Sequence, residues 1–266
     1  MQVGCIKGRV VLVSKRRNRI RALIEEKDEI RLQELKERFP EVSMMTLRRD
    51  LDGLEKEGHV IRTHGGAVSV KKIAGSGEEN PYDLRVVENA EAKIEIAKKA
   101  LPLVERGRSL YLDSGSTIMR LAKILPDEQF SILTSGLNIA LEILKRSKPS
   151  VMVLGGQVNR NTLSTTGPGA MDLLETFNID LAFMAASGFS VDRGFTVANV
   201  YEGHLKRKVL KQAKKVILLL DSSKIDKDLP FTFADLDDIN ILVSEKPLPI
   251  EVETVVRGLK IHVICE

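Results

Sequence analysis

The chain has 266 residues, 43% of them hydrophobic and 29% charged, with a formal net charge of +4. Such a length fits one or two domains, and such a composition supplies a core without disulfide or metal staples. No apolar run approaches the roughly 20 residues that cross a bilayer. The apolar patch at residues 10–13 is too short for a signal-peptide core and precedes no small-residue cleavage site, so a cytoplasmic protein is expected. Cys5 and Cys265 stand at opposite ends of the chain, and no Cys/His group has metal-ligand spacing. Neither a cofactor nor a disulfide is expected. The charge is uneven: residues 1–72 hold 17 Lys and Arg against 11 Asp and Glu, whereas the remainder holds 24 against 26. A basic first quarter fits an anionic partner or a solvated charged surface.

The pattern becomes readable at Ser14, a good N-cap, after which Ile20, Leu23 and Ile24 recur at helical spacing. Lys27, Asp28 and Glu29 break that helix, and Ile30 starts a short extended segment. Leu32, Leu35 and Phe39 share one face of a second short helix, which Pro40 ends. Ser43 caps a third helix in which Leu47, Leu51 and Leu54 form one stripe, and Gly58 closes it. Residues 59–62 read as a strand, 63–66 as a turn and 67–70 as the return strand. Three short helices and a hairpin predict a winged helix-turn-helix domain at 14–72. The Gly/Ser/Pro-bearing stretch around 75–81 sets a linker at 73–88.

From residue 89 to 266 short apolar runs alternate with amphipathic stretches. Strands are expected at 109–112, 131–134, 150–154, 180–185, 216–220, 239–243 and 260–264, with helices between most of them, among them 90–101, 117–125, 137–145 and 202–213. The run Val216, Ile217, Leu218, Leu219, Leu220 is apolar on both faces, as a central parallel strand must be. This alternation predicts an α/β domain with a doubly wound, mostly parallel sheet.

On the third helix Met45, Thr46 and Arg49 fall on a face away from the leucine stripe, with Arg48 at its flank. Such a face suits a major groove: arginine donates two hydrogen bonds to guanine, and threonine contacts a base edge or a phosphate. Ser43 and the first-turn N–H groups stand where a phosphate is held. Arg62, His64 and Gly65 belong to the hairpin, where a wing touches DNA backbone or minor groove. Lys15, Arg16, Arg17 and Arg19 add positive charge at the first helix. Asp50 reads as structural, because a carboxylate repels phosphate. The other reading of Arg48, Arg49 and Asp50 is a salt-bridge cluster on a protein-docking domain.

In the second domain, Asp113, Ser114, Gly115, Ser116 and Thr117 follow a strand and open a helix. Their N–H groups and hydroxyls form either an anion cradle or a plain helix cap. Thr134 and Ser135 follow a second strand, Gly155 a third, and Ser187 and Gly188 a fourth; Gly156 reads better as a tight turn. Polar, glycine-bearing strand ends on one edge of a parallel sheet imply one shared effector pocket. Glu202 and Lys206 lie one helical turn apart, as a surface ion pair or as part of that pocket. Lys206, or Lys224 after the central strand, can neutralise a phosphate.

The run Leu47-Arg48-Arg49-Asp50-Leu51, then Leu54, Gly58 and Arg62-Thr63-His64-Gly65-Gly66-Ala67, resembles the DeoR family of bacterial regulators, in which an R-R-D-L recognition helix leads into an R-x-H-G-G-A wing. Residues 113–117 resemble its D-x-G-S-T segment and residues 221–224 its D-x-S-K segment. Departures are a long turn at 39–43, a leader before Ser14, and Ser135 where the family usually has asparagine. The resemblance implies a sensor domain related in fold to sugar-phosphate isomerases and CoA transferases, a homo-oligomer, and an operator in double-stranded DNA. It further implies an effector that is a phosphorylated sugar or related metabolite, and repression of a carbohydrate operon relieved by it. The roles of Lys206 and Lys224 rest mainly on this resemblance.

An active isomerase fused to a DNA-binding domain is the competing reading. It lacks support in the residues: the stretch Ala186-Ser187-Gly188-Phe189-Ser190 has no carboxylate until Asp192, and the four histidines are scattered. No nucleophile elbow, zinc-protease helix or Walker loop occurs.

Overall fold

The computed structural model describes residues 16–27, 29–56, 59–63, 65–69, 80–259 and 261–266. The chain divides into two compact units, Met1–Glu88 and Asn89–Glu266. Ser14, Lys15, Gly58 and His64 lie outside the described residues.

In the first unit, helix α1 covers 16–27. It is followed by β1 (Glu29–Arg31), α2 (Leu32–Arg38), α3 (Met44–Lys56), β2 (Val60–Thr63) and β3 (Gly66–Ser69). The three strands form an antiparallel sheet in the order β1-β3-β2. Ile20, Ile24, Ile30, Leu35, Phe39, Leu47, Leu51 and Leu54 are buried together, so the leucine stripe of α3 faces inward as its spacing predicts. The long α2–α3 turn is held from both sides. Phe39 and Val42 are buried in it, and Lys36 Nζ donates to the carbonyls of Pro40 (2.7 Å) and Val42 (2.9 Å). A Cβ at residue 66 would collide with the Ile30 carbonyl, so only glycine lets β1 lie this close to β3. Of the expected linker, 73–79 lie outside the described residues, and Tyr82–Val87 form helix α4.

The second unit opens with α5 (Ala90–Ala100). Strands β4 (Ser109–Leu112), β5 (Ser131–Thr134) and β6 (Ser150–Val153) alternate with α6 (Ser116–Ile124) and α7 (Leu137–Ile143). A hairpin of β7 (Gln157–Asn159) and β8 (Ser164–Thr166) leads to α8 (Pro168–Thr176) and β9 (Leu181–Ala185). Then come β10 (Gly188–Ser190), β11 (Gly194–Val197), α9 (Val200–Gln212), β12 (Lys215–Leu219), β13 (Phe231–Ala234), β14 (Ile241–Val243), α10 (Ile250–Leu259) and β15 (His262–Ile264). Seven strands form a sheet in the order β15-β14-β12-β9-β4-β5-β6, and every neighbouring pair is parallel. This is the doubly wound sheet the sequence predicts. Chain order runs outward in both directions from β4 and β9, which makes the gap between them the topological switch.

Both faces are covered. Helices α5, α6 and α7 bury Ile96, Ile118 and Ile139 on one side. Helices α8, α9 and α10 bury Leu174, Leu205 and Val256 on the other. Strand β12 sends Val216 and Leu218 to one core and Ile217 and Leu219 to the other, which is why that run is apolar throughout. A second, antiparallel sheet (β10-β11-β13) stacks Phe189, Phe195 and Phe233, with ring centroids 4.6 and 6.3 Å apart. Among the described residues no helix is long and apolar enough to cross a membrane.

Asp180 locks the N-terminal edge of the sheet. Its carboxylate accepts from Lys214 Nζ (2.7 Å), Ser109 Oγ (2.9 Å) and Ser109 N (3.1 Å). The Lys214 bond, then those from Ser109, hold its pKa down at about 2. A depressed carboxyl pKa means the ionised form favours the fold. The contribution is complete above the unfolded value, about 4, and is lost as pH falls through 2. Urea midpoints of the wild type and Asp180→Asn are therefore expected to differ at pH 7 and to converge as pH falls from 4 towards 2; a difference independent of pH would contradict this.

Candidate functional site

Two groups of residues carry chemistry, one in each unit. In the first, Ser43 Oγ accepts from Thr46 N at 3.2 Å, capping α3 as expected, and also lies 2.9 Å from Thr46 Oγ1. Thr46 is half-buried and tied into this cap, whereas Met45, Arg48 and Arg49 are exposed. Asp50 is the internal group the sequence suggests. It is buried, and it accepts from Arg16 Nε (2.5 Å) and Nη2 (3.1 Å) and from Arg17 Nε (3.4 Å). Arg16 and Arg17, two of the basic residues expected at the first helix, are thus turned towards Asp50 of α3. Arg19 lies over the Phe39 ring, its guanidinium 5.6 Å from the centroid. Arg62 sits within β2 rather than at the hairpin tip. Its guanidinium pairs with Asp52, and its N–H donates to Glu55 at 2.9 Å. Gly65 is exposed in the turn, and its carbonyl accepts from Leu32 N at 2.7 Å. Arg48 and Arg49 have no ion pair among the described residues, so the two guanidiniums stand open on the outer face of α3.

In the second unit the C-terminal edge of the parallel sheet collects the expected strand ends. Asp113, after β4, is buried. Its Oδ1 accepts from Ser114 N (2.9 Å) and its Oδ2 from Ala185 N (3.1 Å), so one carboxylate joins the two strands at the switch. Oδ2 also pairs with Lys206 of α9. Lys206 Nζ donates to the Ala185 carbonyl (2.9 Å) and lies 3.4 Å from Glu202 Oε1 and 5.2 Å from the Phe233 ring centroid. Glu202 and Lys206 are both buried, so of the two readings the surface ion pair falls away. The Asp113 carboxylate and the Ala185 carbonyl each accept a hydrogen bond from this ammonium, and the Glu202 carboxylate adds an ion pair. The structure therefore makes Lys206 an organiser of the edge rather than a charge free to meet a phosphate.

Ser114, Ser116 and Thr117 are buried around Gly115, which has φ +120° and open space where a Cβ would stand. No side chain caps α6, which leaves its first-turn N–H groups without a cap beside Gly115. Thr134 Oγ1 accepts from Gly136 N (3.0 Å), and Ser135 Oγ accepts from Tyr111 OH (3.1 Å). Burial first, and the nearby Asp113 charge second, push the Tyr111 phenol well above its ordinary pKa, so it stays a donor. Gly155 is exposed at the end of β6, and Gly156 takes φ +130° against Thr166, the tight turn expected of it. Ser187 N donates to the Thr196 carbonyl (3.1 Å), and Gly188 lies beneath the Lys227 carbonyl, where a Cβ would collide; packing accounts for both. Lys224 is half-buried and has no partner among the described residues. Its loop is tied down by Asn89, whose Nδ2 donates to Ser223 Oγ at 2.8 Å.

Two further contributors stand at the end of β5. The β7–β8 hairpin walls off the end of β5: Leu137 N donates to the Leu163 carbonyl (3.0 Å) and Thr165 N to the Ser135 carbonyl (2.8 Å). Asn138, second in α7, buries both amide atoms without a hydrogen-bond partner among the described residues. A buried polar group left so costs about 1–3 kcal/mol.

A winged helix-turn-helix unit joined to a doubly wound unit with a polar strand-end edge defines a DNA-binding regulator with a sensor domain. The family model for the DeoR-like helix-turn-helix domain matches residues 16–73, and that for the DeoR C-terminal sensor domain matches residues 88–246. The chain belongs to the DeoR family of transcriptional regulators. It is 34% identical to the HTH-type transcriptional regulator GolR of Listeria innocua over 88% of this chain and 91% of that one. It is 33% identical to the L-fucose operon activator of Haemophilus influenzae, over 79% of this chain and 83% of that one. These relatives are regulators, not enzymes. Ribose 5-phosphate isomerase A from Methanocaldococcus jannaschii overlaps 52% of this chain and 55% of its own, with 17% identity and a TM-score of 0.39.

Removing Lys206 strands the Asp113 carboxylate in the interior. Lys206→Met is expected to destabilise the second unit by about 3–5 kcal/mol, with part of the loss recovered in Lys206→Met/Asp113→Leu. Urea denaturation of both variants checks this; equal stability of Lys206→Met and wild type would remove the pair from the fold's supports.

Proposed function

We propose that the chain is a cytoplasmic, homo-oligomeric repressor of a carbohydrate operon whose DNA binding is relieved by a phosphorylated sugar or a related metabolite. The observation that carries the DNA half is the partition of arginines. Arg16, Arg17 and Arg62 are each held by a carboxylate, while Arg48 and Arg49 project from the outer face of α3 with no ion pair among the described residues. With Ser43 at the helix start and Gly65 in the wing, this face suits a major groove flanked by phosphates. The basic surplus of residues 1–72 supports the same partner.

The sensing half is supported by the uncapped start of α6 beside open space at Gly115 and by the unpaired Lys224. We assign phosphate to those N–H groups, to the Ser114, Ser116 and Thr117 hydroxyls, and to Lys224. Thr134, Ser135, Asn138 and Gly155 line the sugar side, while Asp113, Glu202 and Lys206 position the loops. Pairing between sensor units is supported by exposed Leu141 on α7, Leu144 at its C-cap and Met152 on the edge strand β6. Repression is the family's default, and the fucose relative is named as an activator. For release, the effector must bind the DNA-free state more tightly than the DNA-bound state.

Thermal shift against a panel of sugar phosphates and their free sugars tests the sensor. A rise in Tm with one phosphorylated compound, absent with its free sugar and abolished in Lys224→Ala, is the expected result. No rise with any compound would overturn the effector class. Separately, Arg48→Ala and Arg49→Ala are each expected to cost about 1–3 kcal/mol of operator affinity without altering that thermal shift. Unchanged affinity in both variants would overturn the assignment of α3.

A further inference from the structure

We infer that Met45 reads the C5-methyl group of a thymine in the bound DNA. This rests on the reading of α3 as the DNA-reading helix and adds a base and an atom to it. At 100° per residue Met45 lies opposite the buried Leu47, Leu51 and Leu54 and in line with Arg48 and Arg49 at i+3 and i+4. It is 60% exposed, against 39% for Met44. The polar side chains of the first turn are spoken for: Ser43 caps the helix, and Thr46 is tied to Ser43. The first turn also carries no acidic residue, although a carboxylate there would favour an isolated helix. The projecting feature of the turn is therefore an uncharged, unbranched thioether flanked by two unpaired guanidiniums.

The major groove narrows what such a side chain can recognise. Its floor presents nitrogen and oxygen donors and acceptors at every base pair, and one apolar group, the thymine methyl. Methionine laid against a polar edge would strip water from it and return no hydrogen bond. Against a methyl it buries apolar area on both sides, and its three rotatable bonds let it follow the groove. Arg48 and Arg49, at i+3 and i+4, stand beside Met45 where they would meet the base pairs next to that thymine.

The test uses the full-length protein and duplexes selected with it from a random pool. Each thymine inside the protected major groove is replaced by deoxyuridine, which deletes the methyl and nothing else. Dissociation constants are measured at one salt concentration for the wild type, Met45→Ala and Met45→Leu. At one or two positions deoxyuridine is expected to weaken the wild type about fourfold, as loss of one buried methyl would. Met45→Leu should keep that sensitivity. Met45→Ala should bind the thymine duplex more weakly and be indifferent to the replacement, with an unchanged melting temperature. A deoxyuridine penalty equal in wild type and Met45→Ala, or no sensitive position, overturns the inference. If Arg48→Ala and Arg49→Ala weaken binding in the same assay, that failure belongs to Met45 alone; if they do not, the reading of α3 has failed with it.

Discussion

A lysine ammonium can be buried only if its protons find acceptors, and the C-terminal edge of the sheet is arranged around that demand. Lys206 draws in the Asp113 carboxylate, the Glu202 carboxylate and the Ala185 carbonyl. Asp113 in turn holds the amide nitrogens of Ser114, just after β4, and Ala185, the last residue of β9, on either side of the topological switch. One charge thus sets the mutual position of β4, β9 and α9. Gly115, with the bare start of α6 behind it, inherits its place from that arrangement. Lys99 does comparable work on the flank, donating to the carbonyls of Ser244, Glu245 and Cys265. Lys206 and Lys99 are thus spent on fixing strand ends, whereas the Lys224 ammonium makes no ion pair among the described residues.

The same economy holds in the first unit. A basic segment does not present all of its charge outward. Asp50 takes up Arg16 and Arg17, and Gly53 makes room for it: a Cβ there would strike the Arg17 guanidinium. A glycine inside a helix costs about 1 kcal/mol relative to alanine, which packing across α1 and α3 offsets here. The residual outward charge on α3 is concentrated in two adjacent arginines. Concentration of this kind favours base reading over diffuse attraction.

How much of this the sequence disclosed follows from how local each signal is. Strands β4 and β5 were readable to the residue because apolar runs bounded by polar turns are local facts. The stripe of α3 and the cap at Ser43 were readable for the same reason. The sheet β10-β11-β13 was not: its strands have three or four residues, and β11 pairs with β13 across a whole helix and strand. The β7–β8 hairpin was hidden likewise, because its strands have three residues each and the contacts that bury Ser164 and Thr165 come from the distant end of β5. Glu202 and Lys206 show the limit most plainly. Their spacing is that of any exposed helical ion pair, and burial is decided by Asp113, 93 residues away. Asp50 was correctly read as internal from its charge alone, but the arginines that satisfy it lie 33 and 34 residues upstream, beyond any local pattern.

Gly66 carries a mechanical implication. Because β3 lies directly beneath the Ile30 carbonyl, the hairpin is joined to the strand that opens α2, and through α2 to α3. The wing and the groove-facing helix then behave as one casting. On the proposed reading of α3, a signal that loosens the grip on DNA then acts on this reading head as a unit. It has to lift, turn or re-space the head as a whole, and sequence changes that retune which bases are read are free to accumulate on the outer face of α3 without disturbing how that head is released.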